Sequence, residues 1–269
     1  MQPGAAWGPV ARAVGQTYRS VCAELRAPIL AHRLDELEAA APPGSVPVGY
    51  SMGGRLALHA ALRTPGRFAA LVLVGVSAGL EDDAARTARR AADERLAAWM
   101  ERHTIEAVVE RWEANPVFAT QPPEVVGAQR PGRLAHDPRA LAALLRSAGQ
   151  GALPPVWHRL GTLDLPVLLL AGELDPAYAA AARRMAALLP RGVATVVPGA
   201  GHAPQLERPA AVAFALRQFL DEHLGERAGV GGHAEPRPLG HGEEPEGGGR
   251  QGPGQRGIEQ LEGGQPASH

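Results

Sequence analysis

The sequence has no lysine, so all 27 of its basic residues are arginine, and 28 acidic residues leave a net charge of −1. No block of like charge occurs before residue 225, which argues against a nucleic-acid partner or a charged membrane surface. An arginine-only composition is typical of a GC-rich genome. Only arginines at defined positions in a motif therefore carry functional information.

Cysteine is almost absent, and Cys22 alone excludes an internal disulfide bond. No apolar run reaches membrane-spanning length, and the first residues lack the features of a signal peptide. Metal-ligand spacing of His and Cys and the nucleotide-binding loop G-x-x-x-x-G-K-[ST] are also missing. We therefore expect a cytoplasmic protein without cofactor or metal, a monomer or weak homo-oligomer that acts on a small molecule.

Aliphatic residues are scarce in the last stretch, 225–269, which is rich in glycine, proline, glutamate and glutamine. Such a segment buries too little apolar surface to offset the entropy lost on ordering. We predict that it is disordered. The rest of the chain has enough alanine and aliphatic residues for one core with an insertion.

Short aliphatic runs alternate with helical patterns, which predicts a mostly parallel α/β sheet. The runs are PVGY (47–50), LVLVGVS (71–77), PVLLLAGE (166–173), ATVVPGAGH (194–202) and, more weakly, YRSVCAEL (18–25). Between residues 79 and 165 the strand signal vanishes, and the pattern is helical and charged. We predict a core from residues 1–78 and 166–224, with a helical cap over 79–165.

Gly49 to Gly53 reads G-Y-S-M-G and matches the pattern G-x-S-x-G. In this pattern a serine lies in a sharp turn between strand and helix, and the flanking glycines allow the backbone to fold tightly. The Met52 amide then faces the same space as the Ser51 hydroxyl. A glycine-rich turn without chemistry is the alternative interpretation.

Two later residues favour the catalytic interpretation. Asp175 follows one predicted strand, and His202 lies in a glycine-rich loop after the next. The chain order Ser, Asp, His is that of the α/β-hydrolase fold, and the carboxyl ends of parallel strands are where ligands bind. We predict that Asp175 orients His202, that His202 is the base, and that Ser51 is a nucleophile or proton relay.

The motifs resemble those of the 2-succinyl-6-hydroxy-2,4-cyclohexadiene-1-carboxylate synthases, α/β-hydrolase-fold lyases of menaquinone biosynthesis. The resemblance covers roughly residues 5–220. It rests on GYSMGGR, SAGLEDDAARTARRAADERLAAWM, WEANPVF, RLAHDPRALAALLRSAGQGALPPVW, GELDPAYAA and AGHAPQLERP. The cap segments are the informative part, because cap sequences differ widely among α/β hydrolases.

The resemblance implies elimination of pyruvate from a tricarboxylate. A base removes the proton next to a ketone, and the enolate expels pyruvate without an acyl-enzyme. By the family's motif, Arg55, Arg89 and Arg133 match carboxylate-binding positions, with Arg130 as a competitor for the last, and we expect all three in one cleft. Arginine suits this role because its planar side chain pairs with carboxylates through two hydrogen bonds. Tyr50 and Trp112 match residues that line the site.

One family feature has no counterpart here. A loop of the form HGFxG supplies a second oxyanion donor, and the chain instead opens MQPGAAW and contains no PDLPGHG motif. We therefore expect that the first strands of the fold are missing and that the chain is a truncated member. A generic α/β-hydrolase (an esterase or carbon–carbon bond hydrolase) and an inactive remnant are the alternatives.

Overall fold

The computed structural model describes residues 4–15 and 17–228, and its centre is a parallel sheet of four strands in the order β1-β2-β3-β4. The strands are β1 (Val48–Tyr50), β2 (Leu71–Val74), β3 (Val167–Gly172) and β4 (Gly192–Val197). Val48 pairs with Val72, Leu71 with Val167, and Val167 with Gly192. Strands β1, β2 and β3 lie within the aliphatic runs that predicted them, and β4 overlaps the predicted run 194–202 but begins two residues before it.

Ten α-helices connect or flank the strands within the described residues. They are α1 (Gly8–Val14), α2 (Leu30–Ala40), α3 (Met52–Arg63), α4 (Asp83–Met100), α5 (Ile105–Glu113), α6 (Pro123–Leu134), α7 (Pro138–Ala148), α8 (Pro176–Leu188), α9 (Pro204–Glu207) and α10 (Pro209–Ala228). Short 3₁₀ turns occur at Gly4–Trp7, Pro116–Phe118 and Trp157–Thr162.

The sheet is covered by helices on both faces, because successive side chains of a strand point to opposite sides. In β2, Leu71 and Leu73 join one apolar cluster, which also contains residues of α2, α3 and α8. Val72 and Val74 join the opposite cluster with residues of α1 and α10. Two-sided burial explains why this strand is a continuous aliphatic run rather than an alternating one.

Between β2 and β3 the described residues form helices and no strand. The segment begins with α4, whose first turn is capped by the Asp82 side chain, and α4 packs along α7. Ala97, Met100, Val108, Leu141 and Ala142 form a separate small core there. We refer to α4 through α7 as the cap segment.

Two sequence predictions, one near each end of the chain, differ from the structure. The weak strand prediction for 18–25 is wrong, since this stretch is mostly exposed and pairs with no strand. Helix α10 continues to Ala228, so the first residues of the predicted disordered segment are helical, and the remainder lies outside the described residues. None of the described helices is long and apolar enough to cross a membrane.

His59 on α3 should make stability pH-dependent. Burial, with the charges of Arg159 and Arg55, lowers the pKa of His59 from 6.5 to about 4. Between these values the unfolded chain binds more protons than the folded one, so stability rises with pH through that window. We expect His59→Gln to flatten the rise by roughly 2 kcal/mol, measured by urea unfolding across the window. Parallel pH curves for both proteins would contradict this.

Candidate active site

Ser51 lies in a strained turn between β1 and α3. Its φ of 49° makes it the one non-glycine residue with positive φ among the described residues. The turn is held by the Ser51 amide, which donates to the Val74 carbonyl at 2.8 Å. A Cβ on Gly49 would lie 2.5 Å from the Gly54 Cα, so this crossing requires glycine. Strain of this kind is typical of functional positions.

Three side chains form a hydrogen-bonded series at this turn. Asp175 follows β3 and precedes α8, while His202 lies in the loop between β4 and α9. His202 Nδ1 is 2.7 Å from Asp175 Oδ2, and His202 Nε2 is 3.3 Å from Ser51 Oγ. The structure therefore brings together the residues that the sequence predicted as a triad. Chemically, this arrangement can pass a proton from the serine to the imidazole.

The His202 ring is packed on several sides. Ring centroids of Tyr178, Tyr50 and Phe118 lie 4.5, 5.4 and 6.3 Å from it. Gly75 at φ 60° approaches it from the sheet, where a Cβ would lie 3.3 Å from the ring. The imidazole is therefore held by packing as well as by hydrogen bonds.

Tyr50 is the last residue of β1 and directly precedes Ser51. Its hydroxyl is buried without a hydrogen-bond partner among the described residues. Burial raises the pKa of Tyr50, and the negative charge of Glu207 adds to the effect. The hydroxyl therefore stays protonated at neutral pH and is available to donate to a ligand.

Arg55 is a buried cation without an ion-pair partner in the described part of the chain. It is 7% exposed, and its Nη2 donates a long hydrogen bond of 3.4 Å to the Ala148 carbonyl. Its Nε has no hydrogen-bond partner within residues 4–15 and 17–228. Burial lowers the pKa of Arg55. An arginine with unused donors next to the serine turn is suited to binding an anion.

Arg89 lies on α4, close enough to Arg55 for its charge to lower the Arg55 pKa further. Its Nε donates to the buried Asp93 carboxylate at 2.7 Å, and Nη1 donates to Gln150 at 2.9 Å. Burial raises the pKa of Tyr178, while Arg55 and Arg89 oppose the effect. The charges of both arginines therefore act on Tyr178, whose ring packs on His202.

Arg133 on α6 is 1% exposed and donates to Glu113 at 2.9 Å. Arg130, the competitor for its role, also pairs with Glu113 but is much more exposed. The charge of Arg133 acts against the raised pKa of Tyr50. In this arrangement Arg133 is already paired with Glu113. A substrate carboxylate would have to share Arg133 with Glu113 or displace Glu113 from it.

Trp112 is connected to the site indirectly, through the ring of Phe118. Its ring packs on Phe118 at 5.3 Å, and Phe118 faces His202. The indole nitrogen is buried and has no hydrogen-bond partner in the described part of the chain. A buried donor of this kind can serve a ligand oxygen.

Sequence reasoning missed several residues at the site, among them Phe118, Gln150, Tyr178 and Glu207. Tyr178 had a usable signal, because it follows Asp175 by three residues and lies on the first turn of α8. Glu207 lies in the segment AGHAPQLERP, but its contact with the loop around His202 depends on how α9 folds back on that loop.

The sequence pattern of the alpha/beta hydrolase family matches residues 3–216 of the chain. The parallel sheet, the strained serine turn and the order of the three polar residues are those of this fold. The chain therefore belongs to the alpha/beta hydrolase family. The fold class predicted from the sequence is confirmed.

Within this family the resemblance to the 2-succinyl-6-hydroxy-2,4-cyclohexadiene-1-carboxylate synthases is also confirmed. The chain is 34% identical over 173 residues to the synthase of Salmonella schwarzengrund, covering 64% of this chain and 67% of the relative. It is 36% identical over 176 residues to a Bacillus subtilis (strain 168) protein that bears the same name provisionally. There the match spans 64% of each chain, less than two thirds of the relative's length.

Solved structures agree on the fold. MenH from S. aureus superposes with a TM-score of 0.73 at 26% identity, covering 82% of this chain and 90% of that one. A thermophilic esterase from Thermogutta terrifontis superposes with a TM-score of 0.67 at 24% identity, over 82% and 87% of the two chains. The second likeness concerns the fold alone.

Proposed function

We propose that the chain is a lyase of menaquinone biosynthesis. It would eliminate pyruvate from 2-succinyl-5-enolpyruvyl-6-hydroxy-3-cyclohexene-1-carboxylate and release 2-succinyl-6-hydroxy-2,4-cyclohexadiene-1-carboxylate. The observation that carries the proposal is the 34% identity to a named synthase of this reaction. A cytoplasmic location and a monomer or weak homo-oligomer remain predictions that accompany it.

The charge of the site supports an anionic substrate. Arg55 is buried without an ion-pair partner among the described residues, and Arg89 is close enough for its charge to act on it. A neutral, lipophilic ester would leave Arg55 without a counter-charge in a desolvated site, which is unfavourable. A tricarboxylate supplies that charge, with Arg55, Arg89 and Arg133 as the proposed carboxylate contacts.

The proposed chemistry is proton abstraction followed by elimination. His202 takes the Ser51 hydroxyl proton, and the serine oxygen removes the proton next to the substrate ketone. The electron pair forms an enolate, which re-forms the ketone as the carbon–oxygen bond to the enolpyruvyl group breaks. The departing pyruvate enolate takes up a proton and becomes pyruvate. Asp175 holds the imidazole and stabilises its charged form.

The developing enolate oxygen needs hydrogen-bond donors. Met52 is the first residue of α3, so its amide has no partner within that helix and is the proposed oxyanion donor. The protonated Tyr50 hydroxyl and the Trp112 indole are further proposed donors, since neither has a hydrogen-bond partner among the described residues. These roles are part of the proposal.

Pyruvate release tests the proposal directly. The chain is incubated with the enolpyruvyl substrate, and pyruvate is followed through NADH oxidation by lactate dehydrogenase. We expect pyruvate and the cyclohexadiene product in equal amounts, and pyruvate release roughly 10³-fold slower with Ser51→Ala. Arg146→Met, a surface change on α7, is the matched control and should keep full activity.

A second assay with p-nitrophenyl acetate separates the alternatives. Ester hydrolysis without pyruvate release would overturn the lyase in favour of a generic hydrolase. If the folded chain catalyses neither reaction, the lyase proposal is overturned in favour of a non-catalytic protein.

A further inference from the structure

Glu207 is a buried carboxylate that the proposed chemistry does not use. It ends the short helix α9, five residues after His202, and is 7% exposed. A buried carboxylate is unfavourable unless its oxygens accept hydrogen bonds. Its partners therefore indicate why it is there.

Both Glu207 oxygens accept from the loop that carries His202. Oε2 accepts from the Gly201 amide at 2.7 Å, and Oε1 accepts from the Ala203 amide at 3.2 Å. These two amides lie immediately before and after His202. A single carboxylate thus fixes the backbone on both sides of the imidazole, through hydrogen bonds to a charged acceptor.

The same carboxylate contacts the cap segment. The Thr120 hydroxyl, between α5 and α6, donates to Glu207 Oε2 at 3.2 Å. A Cβ on Gly201 would collide with the Thr120 side chain, so glycine is needed for this close approach. Glu207 therefore joins the cap segment to the His202 loop.

We propose that Glu207 is a positioning residue that fixes His202 in line with Ser51, and that Thr120 ties the cap segment to that arrangement. The inference rests on the proposed role of His202 as base. Its effect is through the backbone, since Glu207 bonds to the amides flanking His202 rather than to the imidazole. The geometry needed at Ser51 is demanding, because small displacements of a catalytic group slow a reaction strongly.

The test uses a fluorophosphonate probe, which needs no knowledge of the substrate. The Ser51 oxygen attacks phosphorus, fluoride leaves, and His202 takes the serine proton. Glutamine at 207 keeps one acceptor but places an amide donor against the second N–H. We expect Glu207→Gln to label about tenfold more slowly, and Glu207→Ala more slowly still. In the pyruvate assay, kcat should fall by the same factor with KM nearly unchanged.

Glu36 provides a matched control. Its carboxylate also accepts two backbone amides, those of Arg26 and Ala27, in the loop before α2. Glu36→Gln should lower stability to a similar degree and leave labelling unchanged. Thr120→Val, a smaller change, should slow labelling roughly threefold, whereas Thr120→Ser should restore it.

Labelling of folded Glu207→Gln and Thr120→Val at the unchanged rate would overturn the inference. Equal slowing in Glu36→Gln would overturn it too, since the effect would then be general loss of stability. If the unchanged chain labels but releases no pyruvate, the proposed function fails while the comparison of variants still decides the role of Glu207.

Discussion

Ser51→Ala and His202→Ala are each expected to lower kcat/KM for pyruvate release by roughly 10³-fold, within the range for a removed general base. The reason is geometric. With Nε2 at 3.3 Å from the serine oxygen and Nδ1 at 2.7 Å from Asp175, neither residue can act alone in the proposed proton transfer. Both enzymes are compared with the unchanged chain at equal folded concentration.

The double variant sharpens this prediction. When two residues act as one unit, removing either of them removes the whole effect. The double variant Ser51→Ala/His202→Ala should therefore be no slower than either single variant. Multiplying effects, near 10⁶-fold, would mean that the two residues act independently. Intact mass during turnover adds a second check, because elimination leaves the serine unmodified while ester hydrolysis passes through an acyl-enzyme.

The strands show what sequence patterns determine and what they do not. Leu71–Val74 and Val167–Gly172 were predictable because two-sided burial requires continuous aliphatic runs. The stretch 18–25 has similar local preferences but no strand beside it in the described structure. Strand formation depends on a pairing partner, which local sequence does not specify.

The site divides in the same way. Ser51, Asp175 and His202 were predictable because each follows a strand, and parallel strands bring their carboxyl ends to one edge. Pairing among cap side chains was not predictable. Nothing near Arg133 in sequence indicates that Glu113, twenty residues away on another helix, occupies it. Glu207 was missed because its proposed role depends on hydrogen bonds that it accepts from the backbone amides of Gly201 and Ala203.

Arg55→Met should separate function from stability. The variant removes the proposed carboxylate contact, so we expect kcat/KM to fall roughly 10- to 150-fold. This corresponds to a loss of about 1.5–3 kcal/mol in transition-state stabilisation. Stability should stay the same or rise by about 1 kcal/mol, because a buried cation that forms no ion pair with the residues the structure describes is replaced by an apolar side chain of similar length. Activity and urea unfolding are measured on the same preparation.

Two other variants make the result specific. Arg55→Lys keeps the charge but loses the planar pair of donors, so its activity should lie between those of the unchanged chain and Arg55→Met. Arg146→Met removes an arginine paired with Glu94 and Glu101 on the cap surface, and should leave activity unchanged. Opposite shifts in activity and stability at Arg55 alone would mean that its burial is maintained for an anionic ligand. If Arg55→Met instead unfolds the chain or retains full activity, Arg55 supports the fold rather than the substrate.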